Sequence, residues 1–207
     1  MSEGQQSTSK VQLWLIILPL IAVFAGAYLL VPKNEAEKAR LLDLLGTSNR
    51  GVLLTPATPI AGLAAYYEGE PLDWSALKPK WRMIIPITEG CDQACRELLY
   101  ISRQVHIRLD KHTHRVERVL LNLGTPLDDP SREFLAREHV YLKLVSADKQ
   151  AFADLLAATN ADWQADKLRL FLADQRGELM MVYTPEHQGS DMLADLRHLL
   201  KYSPDLN

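Results

Sequence analysis

The chain has 207 residues, of which 47% are hydrophobic and 24% are charged, a composition typical of a globular protein. Its net charge of -3 argues against a nucleic-acid-binding protein, because such proteins usually present a basic face. Two cysteines are too few for a disulfide-rich scaffold or for an all-cysteine zinc site.

The N-terminus predicts a membrane anchor. Residues 1–10 are polar, and we expect them to form a disordered tail. Residues 11–31, VQLWLIILPLIAVFAGAYLLV, carry no charge and as a helix would span a hydrocarbon core of about 30 Å. Trp14 and Tyr28 lie near its ends, where aromatic side chains favour the membrane interface. The run is longer than the apolar region of a cleaved signal peptide, so we predict one uncleaved transmembrane helix.

The charges that flank this segment bear on its orientation. Lys10 precedes it, whereas Lys33, Lys38 and Arg40 follow it. The positive-inside rule alone would therefore place the C-terminal part of the chain in the cytoplasm. The cysteine pair described below favours the opposite, oxidising side of the membrane.

Residues 32–80 are predicted to connect the anchor to a folded domain. Residues 33–49 have the pattern of a short amphipathic juxtamembrane helix. Residues 50–80 are interrupted by Pro56, Pro59, Pro71 and Pro79, which favours a lead-in arm or an N-terminal hairpin.

From Trp81 to the C-terminus, residues 81–207, apolar runs and amphipathic stretches alternate. Their order predicts an α/β domain of the thioredoxin-like type, β-α-β-α-β-α-β-β-α, with parallel strands followed by a closing hairpin. The predicted strands are WRMIIPIT, VERVLLNL, HVYLKLV (residues 139–145), LRLFLAD and ELMMVYT, and the predicted helices are residues 91–109, DDPSREFLARE, SADKQAFADLLAATN with Ser146 as its cap, and residues 190–202.

The segment GCDQAC, residues 90–95, contains both cysteines of the chain. The predicted order places Cys91 where the first strand meets the first helix, a position at which the helix dipole stabilises a thiolate. Within a regular helix, residues four apart are too distant for a disulfide, but the sulfur atoms can meet if Cys91 precedes the helix. The pair would then form a redox couple or hold Cu(I), with Cys91 as the more exposed and more acidic thiol. Two cysteines that only pack in the core are the alternative.

The anchor, the proline-rich arm and a C-x-x-x-C motif that opens a long helix together resemble the Sco/SenC family. That resemblance implies a thioredoxin fold and a membrane-anchored factor that handles copper during cytochrome c oxidase assembly. It implies that Cys91 and Cys95 are the copper-binding pair. The family's third ligand, a histidine, is replaced here, because Asp166 and Lys167 occupy that place. The segments NRGVLL, RVERVLL and GELMMVY are similar to a Sco-related group that accompanies cytochrome oxidase genes in bacteria.

The resemblance also implies partners and a location. We expect oxidase subunits or other assembly factors as partners, copper as the metal, and a periplasmic domain on the bacterial inner membrane. His112 and His114 alternate along a turn and are more simply explained as solvated loop residues than as metal ligands. Two other functions stay open, a thiol–disulfide reductase and an interaction module with structural cysteines. The sequence contains no G-x-S-x-G, P-loop, HExxH or GxGxxG motif.

Overall fold

The computed structural model of the chain describes residues 4–31, 37 and 49–206. It contains two compact units, Met1–Ser48 and Asn49–Asn207. The predicted juxtamembrane helix at residues 33–49 lies almost entirely outside the described residues.

The first unit contains helix α1, Gly4–Leu30. Most of the polar tail that was expected to be disordered is therefore helical. The physical reason is that extending an existing helix by one residue is much easier than starting a new one. Side chains of α1 are described only for residues 12–28, and no helix within the described residues is both long enough and apolar enough to cross a membrane. The transmembrane segment at 11–31 thus stays a prediction.

The second unit is built on one eight-stranded sheet with the strand order β1-β8-β7-β4-β5-β6-β2-β3. Its strands are β1 Val52–Pro59, β2 Ala65–Tyr67, β3 Glu70–Leu72, β4 Trp81–Ile87, β5 Val116–Asn122, β6 Leu142–Ala147, β7 Leu170–Ala173 and β8 Glu178–Tyr183, and its helices are α2 Gln93–Ile107, α3 Asp129–Glu138, α4 Lys149–Leu156 and α5 Gly189–Tyr202.

The predicted thioredoxin-like order is confirmed from Trp81 onward. Strands β4, β5 and β6 run parallel, and the β7–β8 hairpin pairs antiparallel to β4. The segment predicted as an arm adds strands at both edges of this sheet, because β1 pairs with β8 and β2 pairs with β6. The compact unit accordingly starts at Asn49.

The sheet is covered on both faces, which explains why the central strands are mostly apolar and do not alternate regularly with polar residues. All seven residues of β4 are buried. One core cluster contains both cysteines together with residues of α2 and α5, including Leu99 and Leu196. The second cluster contains Phe152 of α4.

Several predicted element ends differ from the structure, among them the following three. Helix α2 begins at Gln93 rather than at Cys91, because Asp92 caps it. Ser146 does not cap α4, since it pairs with Tyr66 in the sheet, and Asp148 is the cap instead. His139 is not in a strand but follows the last turn of α3. In the second case a long-range strand pairing outweighs a good local capping residue.

Candidate functional site

The two cysteines lie where β4 leads into α2. Strand β4 ends at Ile87, and the chain then turns through Gly90, whose φ of +65° is a left-handed conformation that favours glycine. Asp92 has extended backbone angles, and its carboxylate accepts the backbone N–H of Cys95 at 2.9 Å. This cap starts the helix after Cys91 and thereby leaves Cys91 free to turn toward Cys95.

Cys91 and Cys95 form a disulfide, with Cα atoms 5.2 Å apart. The sequence allowed the two sulfur atoms to meet only if Cys91 preceded the helix. The structure meets this condition, since Cys91 precedes α2 and Cys95 lies in its first turn. The exposed fractions are 6% for Cys91 and 2% for Cys95. Cys91 is the more exposed of the two, as expected, but both residues belong to the core cluster.

A cleft of about 640 Å³ opens beside the disulfide on the side of Cys95. The loop before β7 forms its far wall and is held by the Thr88 hydroxyl, which donates to the carbonyl of Ala165 at 2.9 Å. The charged groups on the wall have both signs and are Glu89, Asp92, Lys149, Asp166 and Lys167.

The cleft wall bears directly on copper binding. Lys167, which the resemblance placed at the position of the third ligand, lines the same cleft as Cys95. An ammonium group has no lone pair to offer a metal. Among the residues the structure describes, no group of three or more histidine, cysteine, aspartate or glutamate side chains could hold a metal ion. The two sulfur atoms are the soft donors at this place, and once reduced such donors suit Cu(I).

Three histidines, His106, His112 and His114, lie at or beyond the end of α2 that is opposite Cys91, as expected. His112 and His114 belong to a short 3-10 segment that follows the far end of that helix. His114 pairs with Asp205 at 3.2 Å. His106 is held by the carbonyls of Thr113 and Val116, and burial lowers its pKa.

One polar group near the site was missed by the sequence analysis. Arg118 lies in the middle of β5 with an exposed fraction of 3%, and its guanidinium donates to Ser102 Oγ, to the carbonyl of Leu99 and to His139 Nδ1. Burial lowers the pKa of Arg118 to about 10. Burial, together with Arg118 and Arg103, lowers the pKa of His139 to about 4. The sequence offered one signal for this buried group, which is the arginine that interrupts the apolar run VERVLLNL.

The comparison with known families matches residues 81–203 to a family described as "transmembrane-like, thioredoxin-like, C-terminal domain". The matched range spans β4 to the end of α5 and so contains the disulfide and the cleft beside it. No curated protein matches the sequence.

Several solved structures share the fold. Apo Sco1 from Thermus thermophilus has 17% sequence identity and a TM-score of 0.55, with 74% of this chain and 98% of that chain covered. Yeast Sco1 with copper bound has 10% identity and a TM-score of 0.55, with coverage of 77% and 97%. BsSco, described as a member of the Sco family of cytochrome c oxidase assembly proteins with a disulfide switch, has 12% identity and a TM-score of 0.52, with coverage of 72% and 96%. These structures confirm the resemblance to Sco proteins in the fold.

Proposed function

The chain belongs to the family of transmembrane-like, thioredoxin-like C-terminal domains, and we propose that it is a membrane-anchored factor in cytochrome c oxidase assembly. It acts through the Cys91–Cys95 pair, either by thiol–disulfide exchange or by carrying copper as cargo. Its partners are oxidase subunits or other assembly factors.

The observation that carries this proposal is the position of the disulfide. Cys91 and Cys95 are joined at the junction of β4 and α2. Two cysteines that served only as packing residues would not need to meet in a bond. The structural relatives support the partner class, because BsSco is described as a member of a family of cytochrome c oxidase assembly proteins.

In the redox version of the proposal, the protein exchanges its two thiols for a disulfide of the partner. In the reduced protein, one thiolate attacks a disulfide of the partner and forms a mixed disulfide. The second thiolate then attacks that bond, and the Cys91–Cys95 disulfide forms again. The partner gains two electrons and two protons, and this chain loses the same number. On the cleft wall, Lys149 and Lys167 would favour the thiolate forms, whereas the carboxylates of the same wall, Glu89, Asp92 and Asp166, would oppose them.

The copper version uses the same two side chains. Two thiolates can hold Cu(I), a soft ion that accepts low coordination numbers. Copper-bound yeast Sco1 shares the fold and supports copper as the cargo. With Lys167 in place of a histidine, we expect Cu(I) and not Cu(II) to be bound, because Cu(II) prefers a nitrogen ligand.

An anaerobic titration separates the two versions. The full-length protein in detergent is reduced and titrated with Cu(I) against a competing chelator, beside the Cys91→Ser/Cys95→Ser variant. One-to-one binding that is lost in the variant supports copper delivery. Failure to compete with the chelator, together with rapid exchange with a small disulfide, supports the redox version. An oxidase that assembles normally in cells carrying only the double variant would contradict both.

The location is part of the proposal. The chain is anchored in the bacterial inner membrane by residues 11–31, and the domain lies in the periplasm, where an oxidising environment suits a dithiol/disulfide couple. A reporter fused after Tyr202 tests this placement. Alkaline phosphatase, which is active only outside the cytoplasm, should be active in the fusion. A fusion that is active only with a cytoplasmic reporter would reject the placement.

The burial of both cysteines favours a second function, an interaction module with a structural disulfide. Exposed fractions of 6% and 2% leave little sulfur surface for a partner to reach. This function predicts that the double serine variant is less stable but still supports oxidase assembly when enough protein is present. A disulfide of such short span stabilises the folded state by about 2 kcal/mol.

A further inference from the structure

A second concave surface lies close to the disulfide, between α2 and α3. This α2–α3 groove has a volume of about 600 Å³. Tyr100, Ile101 and Phe134 supply apolar wall, and Arg96 and Arg103 supply cations. The guanidinium of Arg96 lies 4.6 Å from the centroid of the Phe134 ring, and that of Arg103 lies 5.6 Å from the Tyr100 ring. Stacking of this kind holds the two cations in defined places.

The wall behind the groove carries a positive charge for which the described residues supply no carboxylate partner. His139 lines the groove, and the buried Arg118 donates to it from behind. Among the residues the structure describes, the acceptors of Arg118 are Leu99, Ser102 and His139, and none of them is a carboxylate. Buried cations are normally paired with an anion. The lowered pKa of His139 keeps its ring neutral at pH 7, so it accepts from Arg118 without adding charge.

Arg103 adds a second unsatisfied group. Its Nη1 donates to the carbonyl of Glu138, but its buried Nε has no acceptor within the part of the chain that the structure describes. Buried N–H groups without a partner are uncommon in folded proteins. Arg103 itself lines the groove, so an anion bound there would lie within reach of this guanidinium group.

The acidic side chains of the groove are already engaged. Glu138 contacts Arg103 at 3.5 Å and Arg137 at 3.1 Å, and the arginines hold its pKa below the usual value. Glu97 accepts from Gln93 at 2.9 Å. With Arg118 counted, cations outnumber carboxylates around the groove, and the local potential favours an anionic occupant.

The groove is also linked to the disulfide. Arg96 Nε donates to the carbonyl of Cys91 at 3.3 Å, and the same guanidinium stacks on Phe134 in the groove. A segment bound along α2 would therefore extend toward the sulfur atoms. This matters for a protein whose partner must bring a cysteine or a metal site to Cys91 and Cys95.

We infer that the α2–α3 groove docks a segment of the partner protein in which an aromatic or aliphatic side chain is flanked by carboxylates. The apolar side chain fills the space between Tyr100 and Phe134, and the carboxylates bind Arg96 and Arg103. The inference rests on the proposed function, since it names the chemistry of the partner that meets the disulfide.

The test is a fluorescence-anisotropy titration of the full-length, oxidised protein in an uncharged detergent. The probe is a fluorescein-labelled heptapeptide with a phenylalanine flanked by aspartates, and its control has asparagines in their place. We expect the acidic peptide to bind at least tenfold more tightly. Arg96→Gln and Arg103→Gln should each weaken binding about tenfold. Arg132→Gln, which removes an exposed α3 arginine paired with Asp129, should change it less than twofold. Arg96→Lys keeps the charge and should bind in between.

Equal affinity for the two peptides, or equal binding by all variants, would overturn the inference. A second outcome would also overturn it. If the protein bound phosphatidylglycerol vesicles in a way that required Arg96 but did not bind the acidic peptide, the groove would be a lipid-binding site. Thermal unfolding of each variant identifies any that do not fold. If Arg96→Gln does not fold, Arg96→Lys replaces it in the comparison. Repeating the titration with Cys91→Ser/Cys95→Ser separates the two proposals. Peptide binding that persists in a variant still able to support oxidase assembly would reject the cysteine function and keep the groove.

Discussion

The Asp92 carboxylate accepts the backbone N–H of Cys95 at 2.9 Å, so a negative charge caps the helix at the point where the disulfide closes. Replacing Asp92 with Asn keeps a capping oxygen but removes the charge. We expect the reduced variant to have a larger thiolate fraction and to be alkylated by iodoacetamide at pH 7 roughly threefold faster. Asp148→Asn, the same change at the cap of α4, should leave the rate unchanged. An unchanged rate in Asp92→Asn would mean that the carboxylate acts only as a cap.

Gly124 lies against the loop that leads to the cysteines. A Cβ atom at this position would stand 1.9 Å from the carbonyl oxygen of Thr88, and a backbone atom cannot move aside as a side chain can. We expect Gly124→Ala to lower the free energy of unfolding by about 3 kcal/mol or more. Gly62→Ala is the control, since its nearest neighbour, a methyl of Leu155, lies at an ordinary 3.7 Å. Urea unfolding measures both, and equal effects would contradict the argument.

The Arg118–His139 contact makes stability depend on pH. Burial, Arg118 and Arg103 lower the pKa of His139 to about 4, below the usual value near 6.5. The unfolded chain therefore binds the proton more readily than the folded protein between these values. This contribution to stability is fully present above about pH 6.5, falls as the pH drops, and is lost near pH 4. From pH 7 to 5 the loss should be about 2 kcal/mol.

The measurement is the difference between wild type and His139→Gln in urea unfolding at pH 7 and pH 5. The variant should lose less stability on acidification than the wild type. His198→Gln, on the exposed side of α5, should keep the wild-type dependence. Parallel pH curves for wild type and His139→Gln would show that another group causes the acid sensitivity.

Asp195 holds the start of the domain. Its carboxylate accepts the backbone N–H groups of Arg50 at 3.0 Å and Gly51 at 2.9 Å, and the Tyr183 hydroxyl at 3.0 Å. Burial and Asp195 raise the pKa of Tyr183, so its hydroxyl remains a donor. Asp195→Ala should cost about 3 kcal/mol, because buried donors lose their acceptor. Hydrogen exchange at residues 50–55 should become faster, whereas the exposed Asp154→Ala should leave it unchanged.

The domain from Trp81 onward could be predicted because its elements are local patterns. Apolar runs separated by turn residues predict strands and helices without reference to the rest of the chain. The ends were less predictable, as Ser146 illustrates, since it is a good capping residue that instead pairs with Tyr66. Residues 52–72 joined the sheet through pairings far apart in sequence, which no local pattern encodes.

The candidate site was likewise predictable from the sequence only in part. Spacing alone limited Cys91 and Cys95 to a few geometries, and their position at a strand-to-helix junction was enough to favour contact. The contact between Arg118 and His139 joins β5 to the end of α3 and depends on how these elements pack. The sequence offered only a charge within an apolar run, which does not identify a partner.

Strand β1 at one edge of the sheet and strands β2–β3 at the other hinder the addition of a strand from another molecule. A sheet edge offers unpaired backbone groups to which another chain can add, and natural proteins often interrupt such edges with proline or short strands. Here β1 contains Pro56 and Pro59, and β3 is three residues long and contains Pro71. A fragment that started at Trp81 would uncover β8 and β6 and would be prone to aggregate. A soluble fragment for crystallisation should therefore retain the chain from Asn49.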